Sequence, residues 1–278
     1  MPELPEVERG RRIAERVLRG RALKSVRAAD DRIVFDELAP RTIARRLRGR
    51  TVVEAHRHGK QLWFEFDEGP ALLLHFGMTG GFRVPAEAPL QLASSGKKVD
   101  SRWPPRFTKI HFVADDGGEL VMTNARRLGR IRLRDEPREE PPISRLGFDP
   151  LLDMPSPKRF IELAHSRKTP VKALLLDQGF AAGVGNWIAD EALYQAKIDP
   201  RRRASDLEND ELRRLRTALG RVIRKAVAVN AVKSEFPRSW LFHHRWGRNG
   251  SATTTRGEAI EHLSVGGRTT AWVPSVQR

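Results

Sequence analysis

The sequence predicts an α+β protein: an N-terminal antiparallel β-sandwich with flanking helices, then a helical C-terminal domain that ends in a β-hairpin. Three observations lead there. From about residue 22 to 134, apolar residues alternate with a period of two, in short runs separated by turn residues. Residues 135–155 carry Pro137, Pro141, Pro142, Pro150 and Pro155, with Pro157 adjoining, and break that period. Beyond them the period is helical to about 232, and short strands and turns return from 233 to 278. Domains are therefore expected at 1–135, 156–232 and 233–278, with 136–155 as a linker.

Each element has a local reason. Residues 3–19 read as a helix because Leu4, Val7, Ala14, Val17 and Leu18 share one face. Glu3, Glu6 and Glu8 favour its N-terminal end, and Gly20 stops it. Strands are expected at 22–29, 51–56, 61–67, 71–76, 109–114, 119–123 and 130–134; Leu62, Phe64 and Phe66, then Ile110 and Phe112, mark the alternation. Asp67-Glu68-Gly69-Pro70 and Asp115-Asp116-Gly117-Gly118 read as hairpin turns. A short helix is expected at 40–47, and 86–106 reads as a loop. After the linker, Ser156-Pro157 is an N-cap followed by proline at the first helical position, with Phe160, Leu163 and Ala164 on one face. Val171, Leu174 and Leu175 mark a second helix and residues 187–196 a third. Ser205-x-x-Glu208 reads as a capping box opening a long helix with Leu212, Leu215, Leu219, Val222, Ile223 and Ala226 on its stripe.

Composition narrows the function. Lys and Arg number 51 against 35 Asp and Glu in 278 residues, a net charge of +16 that points to a polyanionic partner, most often nucleic acid. The absence of cysteine excludes disulfides and thiolate metal sites. His56-x-His58 and His243-His244 do not make a ligand set, so no metal is expected. No apolar run approaches the ~20 residues of a membrane span, and the acidic N-terminus lacks a signal-peptide core. An intracellular, soluble protein without a membrane partner is expected.

Six stretches carry chemistry. The first is Met1-Pro2-Glu3-Leu4-Pro5-Glu6. With Met1 removed, Pro2 presents a secondary α-amine, and an α-amine titrates near ~8 where a lysine titrates near ~10.4. More of it is therefore unprotonated and nucleophilic at neutral pH. With Glu3 one residue away and Glu6 a helical turn further on, an amine plus a carboxylate at the terminus would make an imine-forming site. The plainer alternative is a rigid helix start. Arg57-His58-Gly59-Lys60 sets Lys60 on a hairpin, where it reaches a phosphate or simply adds surface charge. His75 to Gly81 is a glycine-rich loop presenting Met78. Asn124 to Gly129 offers Arg126 and Arg127 beside Leu128, the arginine-plus-apolar combination that fills the gap left by an extruded base. Gly183-Val184-Gly185-Asn186 joins two helical patterns, with Asn186 placed to cap the second, and suits a phosphate at a helix N-terminus. It fails as a dinucleotide fingerprint because Ile188 occupies the third glycine position. Gly266 to Trp272 reads as a hairpin with Arg268 at its turn. Arg201-Arg202-Arg203 reads as a solvated basic cluster.

Taken in order, these stretches resemble the formamidopyrimidine-DNA glycosylase/endonuclease VIII family over essentially the whole chain: Pro2 to Glu8, the Lys60 turn, the Met78 loop, the Arg126-Arg127 loop, Gly183-x-Gly-Asn186 and the Arg268 hairpin. The resemblance implies a two-domain enzyme of base excision repair with a β-sandwich, a helix–two-turn–helix module and a finger hairpin. It implies Pro2 as nucleophile, Glu3 as proton donor and acceptor, Glu6 as support, and Lys60 as a phosphate contact that assists proton transfer. Met78 and Arg126 would occupy the void of the flipped nucleotide, and Lys172, Asn186 and Arg268 would hold flanking phosphates. The implied partner is double-stranded DNA carrying oxidised bases or abasic sites, bound by a monomer without cofactor. The implied compartment is the nucleoid of a bacterium or the nucleus of a eukaryote.

Two departures qualify the resemblance. Family members usually close the finger with four zinc-binding cysteines, whereas Val273 and Val276 stand where the second pair would be. The chain is thus similar to zincless-finger, plant-type members, with apolar packing in place of the metal. Leu128 stands where many bacterial members carry an intercalating phenylalanine, and Lys233–Arg238 is short for the loop that covers 8-oxoguanine. Ring-opened formamidopyrimidines and oxidised pyrimidines or hydantoins are therefore expected as substrates ahead of 8-oxoguanine. A catalytically silent damage binder of the same fold, and a general basic RNA- or DNA-binding protein, are the alternatives.

Overall fold

A computed structural model describes residues 1–85, 87, 102–246 and 252–278. Most of the loop expected at 86–106 lies outside these residues. The chain divides into two compact units, Met1–Arg145 and Leu146–Arg278.

In the first unit, α1 (Leu4–Leu18) is followed by β1 (Leu23–Ala28) and α2 (Pro40–Leu47). The remaining strands are β2 (Val52–His58), β3 (Gln61–Phe66), β4 (Ala71–His75), β5 (Gly81–Arg83), β6 (Thr108–Ala114), β7 (Glu119–Thr123) and β8 (Arg130–Arg134). They form two antiparallel sheets, in the orders β1-β6-β7-β5 and β2-β3-β4-β8. Phe64 of the second sheet packs on Phe82 and Phe112 of the first, with ring centroids 5.7 and 5.8 Å apart. These rings lie in one buried cluster with Leu72, Ile110 and Met122, so the alternating residues meet between the sheets as a sandwich requires. The short β5 is an addition to the expected strands, since Gly81-Phe82-Arg83 is too brief to show a period.

An open sheet edge needs a cover. Helix α1 supplies it along β2, where Arg11 donates to the Ala55 carbonyl at 3.1 Å and the Ala55 N–H donates to Glu15 at 2.9 Å. Gly10 lets the helix approach, because a Cβ there would stand 2.8 Å from the Phe76 ring. The outer face of the second sheet buries Trp63, Ala71 and Leu73 against Ile143. Residues expected as linker thus cover the sandwich up to Arg145, and Arg134 donates to the Pro141 carbonyl at 2.9 Å.

The second unit holds α3 (Pro157–His165), α4 (Val171–Leu176), α5 (Asn186–Ala196), α6 (Asn209–Ala228) and the hairpin β9 (Glu261–Val265) and β10 (Arg268–Trp272). Ser156 caps α3 by accepting the Arg159 N–H. The capping box of α6 differs from the expectation. It joins Glu208 to Glu211, and Ser205 lies in a preceding 3-10 turn. The same spacing rule is met three residues later, where a second acidic side chain can return to the cap N–H. The C-terminal strands pack through Leu241, Ile260, Ala271 and Val273, with Tyr194 and Val276 alongside.

Gly10→Ala is expected to lower stability by about 1 kcal/mol or more. The methyl overpacks against Phe76, a ring held edge-on by Phe82 at 5.0 Å, and this outweighs the ~1 kcal/mol gain in helix propensity. Urea unfolding at pH 7 measures the difference.

Candidate active site and nucleic-acid interface

The first unit fixes the chain terminus. Pro2 is buried, and Glu3 and Glu6 are 3% and 5% exposed. Glu3 and Glu6 form a capping box in which the Glu3 N–H donates to the Glu6 carboxylate at 3.0 Å. The two carboxylates expected to do proton transfer and support thus also lock the first turn of the helix that carries Pro2. Met1 is exposed and precedes Pro2 in the chain.

A chain of contacts ties this helix to the Lys60 turn. Glu8, just beyond the capping box, accepts from Arg57 at 3.1 Å, and Arg57 donates to the Gly59 carbonyl at 3.1 Å. The Arg57 side chain is 1% exposed and its partner 8%. Burial raises the Glu8 carboxyl, but Arg11 and Arg57 together hold it below its ordinary value. Gly59 takes a φ of 56°, the left-handed geometry that a two-residue hairpin needs there. Lys60 follows it and is 9% exposed. From sequence, Glu8 and Arg57 read only as a helix-end charge and a turn residue, because an ion pair 49 residues apart leaves no local signal.

His75 reads from sequence only as the point where the strand at 71–76 runs into the Met78 loop. It pairs with Gln61, next to Lys60, and accepts the Gly77 N–H at 3.2 Å. Burial pushes its imidazole down to about 4, with the charges of Lys60, Arg130 and Arg132 acting in the same direction. It is therefore neutral at pH 7.

The expected void-filling residues lie on two loops of this unit. Met78 is half-buried, whereas Arg126 and Leu128 are exposed. Arg127 departs from the expectation of a second available guanidinium. It adopts a φ of 56° and donates to both Asp31 oxygens at 3.0–3.1 Å. Lys109 donates to the same carboxylate at 2.7 Å. Burial raises Asp31, yet Arg127 and Lys109 outweigh it and hold the group well below the usual carboxylate range.

In the second unit Asn186 opens α5 and Gly185 is the N-cap. The Asn186 amide donates to the Thr269 carbonyl at 2.8 Å, a contact with the hairpin and not the expected cap. Gly266 and Gly267, at φ 59° and 70°, make the tight turn of that hairpin. A Cβ on Gly266 would stand 3.0 Å from the Ala173 Cβ, so the turn sits against α4. Arg268, just after it, is exposed; its backbone pairs with Val265 and accepts from the Thr270 hydroxyl, and its guanidinium has no partner among the described residues.

Lys172 also departs from the expectation of a phosphate contact. Its side chain is fully buried, 2.6 Å from an Asp190 oxygen, and it donates to the Thr270 hydroxyl at 2.7 Å and the Thr269 carbonyl at 3.2 Å. Asp190 accepts from Arg245 and from the Ala271 N–H as well. Lys172 therefore braces the hairpin from beneath, and an ammonium so enclosed does not reach a phosphate in this conformation. Beside it, burial pushes the Glu191 carboxyl up to about 7 while it accepts from the Phe242 N–H at 2.9 Å. Among the described residues no group of three potential ligands could hold a metal ion.

Comparison with known proteins places these features. Residues 1–131 match the formamidopyrimidine-DNA glycosylase N-terminal domain and residues 146–237 the helix–two-turn–helix domain of the same enzymes. The chain is 41% identical over its full length to the formamidopyrimidine-DNA glycosylase of Arabidopsis thaliana, covering 71% of that protein. It is 34% identical over its full length to the enzyme of Thermus thermophilus, covering 98% of that protein. Among solved structures, the Lactococcus lactis enzyme bound non-covalently to abasic-site DNA superposes with a TM-score of 0.81 at 25% identity, covering 99% of both chains. The same enzyme with DNA containing a formamidopyrimidine gives 0.80 at 25% identity, covering 99% of this chain and 100% of that one.

The His75 shift has a sign that can be measured. Its folded value lies below the ordinary ~6.5, so the native state binds fewer protons than the unfolded state and stability falls as the pH drops from about 6.5 through 4. His75→Gln is expected to remove part of that loss, seen as a smaller change in urea midpoint between pH 7 and pH 5.

With both domain models matched and full-length relatives above 30% identity, the chain belongs to the formamidopyrimidine-DNA glycosylase family.

Proposed function

We propose that this protein is a bifunctional DNA glycosylase and abasic-site lyase of base excision repair. The observation that carries the reading is the buried Pro2-Glu3 pair at the head of a capped helix. A chain end is ordinarily the loosest part of a protein, and fixing it suits an amine that must meet one carbon atom.

The residues support a definite sequence of steps. Removal of Met1 frees the secondary amine of Pro2. That nitrogen attacks C1′ of the damaged nucleotide as the C1′–N bond breaks, and the departing base takes a proton. Glu3 is placed to donate and accept protons while the sugar ring opens. The product is an iminium, cationic because a secondary amine cannot lose its charge by deprotonation at nitrogen. This electron sink acidifies the C2′ hydrogen, and its loss expels the 3′ phosphate by β-elimination. A second elimination expels the 5′ phosphate, and water then releases the proline. The products are a one-nucleotide gap with phosphate ends and an unsaturated sugar fragment. No step calls for a cofactor.

Lys60 contacts the phosphate and assists proton transfer, with Glu6 supporting Glu3. Met78, Arg126 and Leu128 fill the void, while Asn186, which has a second amide N–H, and Arg268 hold backbone phosphates. Arg127 and Lys172 act through the loops they brace. Formamidopyrimidines and oxidised pyrimidines or hydantoins remain the favoured lesions, because Leu128 offers no aromatic face to the opposite base. Such an enzyme works wherever chromosomal DNA is held. Among the described residues no helix is long and apolar enough to cross a membrane.

Incubation of protein starting at Pro2 with a duplex carrying a single formamidopyrimidine tests the reading. Strand scission leaving phosphate on both ends is expected; an intact strand in which the lesion is bound but not released would favour a silent damage binder. Arg268→Ala is expected to make the salt dependence of duplex binding shallower by about one unit of log K against log salt, as for loss of one phosphate contact. An unchanged slope in a binding titration would count against that contact.

A further inference from the structure

The sandwich connects its two sheets twice at one end. The chain leaves the second sheet at His75 and enters the first at Gly81; it leaves the first at Thr123 and returns to the second at Arg130. Because His75 pairs with Arg130 and Gly81 with Thr123, the crossings at 76–80 and 124–129 run side by side in opposite directions. Met78 stands on one and Leu128 on the other.

One side chain joins them. Asn124 is completely buried, its amide donating to the Phe76 carbonyl at 2.7 Å on the first crossing. Its side-chain oxygen accepts the Gly129 N–H at 3.2 Å on the second. The Gly80 N–H donates to the same Phe76 carbonyl at 3.0 Å and closes the first crossing on itself. The backbones meet with no room for a spacer. A Cβ on Gly77, which has a φ of 61°, would lie 2.4 Å from the Leu128 carbonyl carbon. One on Gly80 would lie 2.5 Å from the Asn124 amide nitrogen, and one on Gly129 2.6 Å from it. The Asp31–Arg127 pair pins the second crossing from its other side.

We propose that residues 76–80 and 124–129 enter the duplex as one rigid wedge, and that Asn124 is the positioning residue that couples Met78 to Leu128. The inference rests on the void-filling reading of those two side chains. Two separate loops would each have to be ordered on insertion, whereas a joined pair is ordered in advance and places both side chains in register. An aspartate or a hydrophobic residue at 124 would lack the amide donor for the Phe76 carbonyl, which would keep only the Gly80 N–H of its own crossing and lose its link to the other.

A double-mutant cycle tests this, with kcat/KM on a lesion-containing duplex as the readout. Met78→Ala and Leu128→Ala are each expected to lower kcat/KM. Together they should lower it less than the product of the single losses, by a coupling of about 10-fold, within the range for residues that act as a unit. In an Asn124→Ala background the coupling should fall towards one, so that the two losses multiply. Asn124→Ser, which keeps a small polar side chain, provides the second background should the alanine variant fail to fold by circular dichroism. A mere loss of stability would lower all four rates without removing the coupling. Losses that multiply in the wild-type background, or a coupling that persists when Asn124 is replaced, overturn the proposal. Single variants without any effect would overturn the void-filling reading itself, which is a different result.

Discussion

The reacting amine proposed for this protein belongs to the end of the chain, and a chain end has no covalent neighbour on one side to hold it. Catalysis needs a group held within about half an ångström of its working position. The first unit meets that demand with a short helix whose first turn is closed by the carboxylates that would share the chemistry. Glu6 takes the Glu3 N–H, so the proton-transfer residue and the helix cap are one arrangement. Glu8 continues the connection through Arg57 to the carbonyl of Gly59, and Lys60 stands on the same turn. The helix is in turn fixed along β2 by Arg11 and Glu15 and against Phe76 by Gly10.

The second unit meets a related demand with apolar packing and buried polar contacts. A two-stranded hairpin is marginal by itself in water. Here β9 and β10 lie on an apolar cluster that includes Val273 and Val276, and polar groups fix the register. Asp190 accepts from the Ala271 N–H and pairs with Lys172 and Arg245, while Asn186 and Lys172 share the Thr269 carbonyl. Buried ion pairs contribute little net stability, since desolvation offsets their attraction, but removing one partner strands a buried charge at a cost of about 3–5 kcal/mol. That suits the task proposed for the hairpin, to hold Arg268 in one place.

Periodicity and turn residues made most of the fold legible. Among the described residues, seven of the eight sandwich strands, both N-terminal helices and the main C-terminal helices lie where the apolar pattern puts them. Strand β5 was not legible, being three residues long. The α6 cap was misplaced because Ser205-x-x-Glu208 and Glu208-x-x-Glu211 satisfy one spacing rule equally well, and tertiary context chooses between them. At the candidate site, the positions of Pro2, Glu3, Lys60 and Arg268 were legible because each stands beside a helix start or a turn. The states of Lys172 and Arg127 were not. Both read as available cations, and both are committed to carboxylates remote in sequence, Asp190 and Asp31. Asn124 was hidden for the same reason, since its partners Phe76 and Gly129 meet only when the two crossings lie together.

The measurement that bears most directly on the role of the chain end is reductive trapping. Protein beginning at Pro2, mixed with an abasic-site duplex and borohydride, is expected to form a one-to-one covalent complex. Proteolysis and mass spectrometry should place the sugar on the N-terminal peptide, at the proline nitrogen. The same protein retaining Met1 should form no adduct there. Absence of a complex from protein verified to start at Pro2, or an adduct on a lysine with the proline amine left free, would contradict the assignment.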